Sequence, residues 1–341
     1  MPSQRVAGIS FAPRRKPAQT SNGRKGTVIS MTDQRRIFID GAAGTTGLRI
    51  HERLAKRQDL TLITLPEEMR KDESARRDCM KRADVVFLCL PDAAAEEAIH
   101  LLENPDTVLI DTSTAHRTAQ GWTYGFPELT GQREAIRSAK RVANPGCHAS
   151  GFIALVAPLT EAGILAPDAA LSCFSLTGYS GGGKKMIADY ESQTRDPLYQ
   201  GPRQYGLGQT HKHLPEMRVF CKLDREPLFC PVVASYYAGM EVTVPLHAGQ
   251  LHGTAEDIRE VYRQRYADGV IRYVGSAGES GFLSAAAYAG LDSMQITVAG
   301  NSERILLIAR FDNLGKGASG AAIQNMNLAL GVPETEGLIL V

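Results

Sequence analysis

The first strongly apolar stretch, Arg36-Ile37-Phe38-Ile39-Asp40, is short and ends directly on a glycine turn, Gly41 to Gly47; Leu48, Ile50 and Leu54 then recur at helical spacing. This predicts strand, glycine turn, helix. Apolar runs at Leu60–Leu65, Asp84–Leu90 and Thr107–Asp111 follow at the distances that parallel crossovers need, and the 84–90 run is apolar on both faces. Asp92 is placed to cap a helix through Ile99, and Arg141-Val142-Ala143 supplies a further strand ending at Asn144-Pro145-Gly146. The expected fold is α/β: a Rossmann-type doubly wound parallel sheet. Beyond it the pattern changes to α+β, with a helix over 149–162, strands at 170–176, 232–237, 240–246, 294–299 and 305–311, and an alanine-rich helix over 317–330.

At 341 residues the chain is long enough for two cores of ordinary size. Apolar residues make up 43% and charged residues 22%, so disorder is not the general reading. A formal net charge of +1 provides no broad field for nucleic acid, which leaves a small molecule and a second copy of the chain as expected partners. No apolar run reaches the roughly 18 to 20 residues of a membrane helix, so a cytoplasmic protein is expected. Residues 1–32 carry Arg5, Arg14, Arg15, Lys16, Arg24 and Lys25 with no acidic residue. That bias fits a transit peptide; a disordered basic tail, or a start placed too early with Met31 as the true one, fits better because no long amphipathic stripe accompanies it.

Six cysteines include no C-x-x-C pair. Cys89 and Cys173 lie in apolar runs, where cysteine acts as a small hydrophobe. Cys147 differs. It follows Asn144-Pro145-Gly146 and opens a predicted helix, a setting that stabilises a thiolate through the helix N-terminus and favours a nucleophile over an inert thiol. Gly41 permits the sharp turn out of the first strand and Gly44 lets backbone approach a pyrophosphate, which the following helix start attracts. Glycine turns of this kind also occur as mere packing devices, but the strand before and helix after favour dinucleotide binding. Glu67 could take a ribose hydroxyl, as in NAD sites, while Arg70 and Lys71 could hold a 2′-phosphate; the residues leave NAD and NADP open.

His211 and His213 provide a proton carrier near neutrality, although paired loop histidines are commonly surface residues. Two histidines with one residue between them and no third ligand do not meet zinc's demands, and no metal is expected. Ser180-Gly181-Gly182-Gly183 can expose N–H groups as an anion nest or serve only as a flexible loop. The segment Asp111 to Arg117 sits at a strand's carboxyl end, which makes Arg117 a candidate anion clamp.

The turn GAAGTTG together with DTSTAHR at 111–117, YGFPEL at 124–129, NPGC at 144–147, GYSGGGK at 178–184, HKHLPEM at 211–217 and DNLGKGASGAA at 312–322 resembles the N-acetyl-gamma-glutamyl-phosphate reductase family in its short form. The likeness runs from about 36 to 330. It implies NADP(H), an acyl phosphate substrate with release of inorganic phosphate, arginine biosynthesis, and a homo-oligomer, dimer or tetramer. Carried over by motif, the catalytic residues are Cys147 with His211 or, second in preference, His213. Cofactor contacts fall on Gly41, Ala43, Gly44, Thr45, Thr46, Gly47, Arg70, Lys71, Ser113, Gly181, Gly182, Asn313 and Gly317, and substrate contacts on Asn144, Arg117 and Ser180. The expected domains are a tail over 1–33, an NADP-binding domain over 34–146, a catalytic and dimerisation domain over 147–311, and a final segment over 312–341 that returns to the first. The alternatives are aspartate-semialdehyde dehydrogenase, an aminoadipate-pathway reductase, or a dinucleotide-binding regulator without a reactive thiol.

Overall fold

The computed structural model describes residues 34–276 and 278–341, so the expectation for 1–33 lies outside the described residues. The first sheet contains β1 (Arg35–Asp40), β2 (Leu60–Ile63), β3 (Val85–Leu88), β4 (Val108–Asp111), β5 (Thr123–Tyr124) and β6 (Arg141–Ala143). Its order is β2-β1-β3-β4-β6-β5, with every pair parallel. Helices α1 (Thr45–Leu54), α2 (Glu73–Arg82), α3 (Asp92–Ala98) and α4 (Gln132–Ser138) connect these strands. All four residues of β3 and of β4 are buried, which is why those runs are apolar without alternation. Strand order reverses between β1 and β3, and the crevice outside their carboxyl ends is where such sheets take ligands.

The second sheet is mixed, in the order β11-β12-β13-β10-β7-β9-β8. Its strands are β7 (Ser172–Gly178), β8 (Arg203–Gln204), β9 (Leu228–Ala234), β10 (Met240–His247), β11 (Ile271–Tyr273), β12 (Met294–Gly300) and β13 (Arg304–Phe311). Helix α5 (Cys147–Glu161) is buried from His148 through Leu159 and forms the centre of this core, in contact with β10 and β13. A helix apolar on all sides belongs in such a place. The others are α6 (Gly183–Glu191), α7 (Leu214–Phe220), α8 (Ala255–Arg265) and α9 (Gly320–Leu330). Ala322, Ile323 and Met326 of α9 pack with Ile37, Val85 and Ile110 of the first sheet.

Two expectations need adjustment. β9 begins at Leu228 rather than Val232, because Pro231 is tolerated one strand from the edge, where β8 covers only Val232 and Val233. The last helix is preceded by a π turn, Gly315–Ser319, rather than starting smoothly at 317. Among the described residues no helix is long and apolar enough to cross a membrane.

Candidate active site

The glycine turn joins β1 to α1 through Gly41, whose φ is +86°. A β-carbon there would stand 2.3 Å from the Cys89 carbonyl oxygen at the end of β3, so both conformation and space demand glycine. Gly47 serves packing: its β-carbon would meet Gly41 O at 2.5 Å. Helix α1 starts at Gly44 without a side-chain cap, and Thr45 Oγ1 is buried with no hydrogen-bond partner among the described residues. An uncapped helix start beside an orphaned hydroxyl suits a bound phosphate, which would satisfy both. The residues therefore fit a dinucleotide. Gly41→Ala is expected to cost about 1–3 kcal/mol of stability and to weaken cofactor binding; chemical denaturation and a fluorescence titration with NADPH check the two effects.

Beside the turn lies a cavity of about 520 Å³ lined by Gly41, Ala43, Gly44, Leu62, Arg70 and Lys71 among others. Glu67 pairs with Arg70 there, so the acidic and basic candidates for the ribose partly engage each other. Arg76 from α2, which the sequence reading missed along with its helix, also lines this cavity and holds Asp40 through bonds of 2.7 and 3.1 Å. Burial pushes the Asp40 carboxyl up, against the opposing effect of Arg76. Ser113 lines neither this cavity nor the next, and its hydroxyl donates to Asp111 at 2.6 Å. Its short side chain closes a local turn with the aspartate.

A second cavity, about 190 Å³, gathers Thr45 and Thr46 from α1, Arg117, Asn144, Cys147, Ser180, Gly181, His213, Asn313 and Gly317. Segments spread over more than 270 positions of sequence thus meet at one point. Gly182 is turned away against Met186, and His211 is not among the lining residues. His213 is buried, and its Nε2 lies where a β-carbon on Gly146 would approach it to 2.5 Å. His211 stands behind it, with ring centroids 4.7 Å apart, and its Nδ1 accepts the His213 backbone N–H at 3.2 Å.

The electrostatics differ from expectation in two ways. Cys147 opens α5, yet burial pushes its thiol up to about 11, outweighing Arg117 and the backbone N–H groups of His148 and Cys147 that act in the other direction. Helix dipoles act over about one turn and give way when a thiolate loses its water. The resting group is a neutral thiol, not the expected thiolate. Burial, then Arg117, likewise holds His213 well below the ordinary histidine range, so its ring is neutral.

Arg117 is also not a free clamp. Its Nη1 donates to Glu216 Oε1 at 2.7 Å and its Nε to Asn144 O at 3.0 Å, so a buried carboxylate already balances its charge. Glu216, on α7, further accepts from Tyr124 Oη at 2.7 Å and Gly146 N at 3.2 Å. It ties the arginine, the turn before Cys147 and the histidine segment together. The sequence signal for it was its place three residues after His213, which puts both at one end of a short helix. His148 was missed as well: its ring nitrogens contact Ser175 Oγ and Tyr205 Oη, each at 2.7 Å, and it walls the histidine pair.

A glycine turn of the dinucleotide-binding kind, a cysteine at the junction of two sheets and a buried histidine accord with the semialdehyde dehydrogenase class, and the family comparisons agree. Residues 66–139 match the semialdehyde dehydrogenase NAD binding domain and residues 147–313 the semialdehyde dehydrogenase dimerisation domain. The fold superimposes on aspartate semialdehyde dehydrogenase II from Vibrio cholerae with a TM-score of 0.65 at 19% identity, covering 87% of this chain and 99% of that one. For aspartate semialdehyde dehydrogenase with NADP from Candida albicans the TM-score is 0.63 at 13% identity, over 87% and 99% of the two chains. These identities establish likeness of fold. The N-acetyl-gamma-glutamyl-phosphate reductases of Brucella suis and Brucella ovis are each 47% identical over 306 residues, spanning 87% of this chain and 99% of theirs. The chain belongs to the N-acetyl-gamma-glutamyl-phosphate reductase family.

Proposed function

We propose that this chain uses NADPH to reduce N-acetyl-L-glutamyl 5-phosphate to N-acetyl-L-glutamate 5-semialdehyde, releasing phosphate, as a cytoplasmic enzyme of arginine biosynthesis. The observation that carries the reading is the small cavity in which Cys147, His213 and Arg117 meet the start of α1. The Cys147 sulfur attacks the acyl carbon as His213 takes the thiol proton; the bond from carbon to phosphate oxygen breaks, His213 passes that proton to the departing oxygen so that hydrogen phosphate leaves, and a thioester remains. When bound, the nicotinamide supplies hydride to that carbon. The resulting oxyanion collapses to the aldehyde, sulfur leaves, and a proton taken up from solvent through His213 restores the thiol. The Arg117 field and the N–H groups beside the sulfur favour negative charge as it develops. Arg70 and Lys71 line the cavity beside the glycine turn, which supports them as partners of a 2′-phosphate.

Self-association belongs to the same reading. Phe174, Leu228 and Leu306 are 46%, 65% and 38% exposed on the second sheet, an apolar set suited to a second copy. The deciding assay runs the reaction in reverse: NADP reduction with N-acetyl-glutamate semialdehyde that depends strictly on added phosphate. A rate with aspartate semialdehyde that exceeds it would transfer the chain to the sister activity.

A further inference from the structure

Lys316 is wholly buried, yet no step above uses it. Its Nζ donates to both Glu128 oxygens at 2.8 and 2.9 Å and to Gln324 Oε1 at 2.6 Å, with the Phe126 ring centroid 4.8 Å away. An ammonium has three protons, and three acceptors face it. Gln324 Nε2 donates onward to Glu128 at 3.0 Å and to Glu334 at 2.7 Å, and Arg133 binds Glu334 at 2.7 Å. The network joins the loop after β5, α4, α9 and the chain's end.

Buried ion pairs contribute little stability relative to apolar replacements, so what this one supplies is better sought in conformation. Lys316 lies within the π turn Gly315–Ser319, a geometry rare enough to need outside support and often found at functional sites. The neighbouring residue, Gly317, faces the reactive cavity; a β-carbon on it would stand 2.9 Å from Cys147 Cβ. Ala318 O accepts from Asn144 Nδ2 at 3.1 Å on the same side.

We propose that Lys316 and Glu128 are positioning residues that bolt the π turn to the first sheet, so that Gly317 closes one wall around Cys147. Neither touches reacting atoms. The inference rests on the reading of Cys147 as nucleophile, and its test therefore includes a readout that needs no substrate.

In the full chain, Lys316→Met and Glu128→Gln each leave a buried partner unpaired and lower the thermal midpoint. The double variant removes both charges and brings the midpoint back toward wild type. With the turn no longer held, alkylation of Cys147 by iodoacetamide at fixed pH accelerates roughly tenfold or more, and turnover falls by about 10²-fold, the scale of a 1 Å misplacement. Glu128→Asp, which keeps the charge but shortens the side chain, also accelerates alkylation and covers the case in which the double variant does not fold. A folded double variant, or Glu128→Asp, that alkylates at the wild-type rate overturns the proposal. If wild type fails to reduce the acyl phosphate, the proposed function falls, while the alkylation comparison still decides the role of the pair.

Discussion

Cys147→Ser yields a folded protein that binds NADPH as wild type does and turns over at least roughly 10⁴-fold more slowly, the scale on which enzymes lose a covalent nucleophile. The side chain lines a cavity wall and its replacement is nearly the same size, so stability should hardly move. Chemistry changes more. A hydroxyl in a site that already pushes a thiol up to about 11 cannot be ionised there, and an ester would not suit hydride addition as a thioester does. The same burial sets the pH dependence of the wild-type thiol. Because its folded value is raised, the protonated form persists through neutrality, and alkylation of the resting enzyme should keep rising with pH toward about 11. Single-turnover kinetics with mass detection of the acyl-enzyme test the first expectation and iodoacetamide rates the second. Near-native turnover by the serine variant, or an alkylation plateau by pH 8, would be incompatible with this description of the site.

Much of the architecture was legible because hydrophobic period reports it directly. The buried runs at Val85–Leu88 and Val108–Asp111 and the glycine turn between β1 and α1 follow from local sequence. Helix α2 was not legible: in ESARRDCMKR only Cys79 and Met80 are buried, so it carries no apolar stripe to read. The reactive cavity was legible by residue but not by environment. Cys147, Arg117, Asn144, Ser180, Gly181, Asn313 and Gly317 share it, yet the balance of burial against the helix dipole at Cys147 depends on the whole fold around it. For the same reason Arg117 looked free. Its partner Glu216 lies 99 positions away, and no local pattern announces a pairing of that kind.

His213→Ala should lower kcat by about 10² to 10⁴, the usual worth of a placed proton carrier, and His211→Ala by much less. As loop residues the two are equivalent in sequence, and the family resemblance put His211 first; the fold separates them. His213 lines the cavity with Cys147, and its Nδ1 is buried without a hydrogen-bond partner among the described residues. His211 is outside that lining and uses its Nδ1 to accept the His213 N–H, a contact that orients its neighbour. A neutral thiol cannot attack without giving up its proton, and a ring held well below the ordinary histidine range is neutral and able to accept it. The sign then fixes the pH profile. A depressed histidine keeps its unprotonated, working form as pH falls, so kcat/KM should stay level from neutrality down past pH 6.5 and decline only below it. His213→Ala should remove that lower limb, whereas His211→Ala should retain it. If the larger loss falls on His211, or if the wild-type limb sits at or above 6.5, the proton carrier is a different group and the cavity has been assigned to the wrong ring.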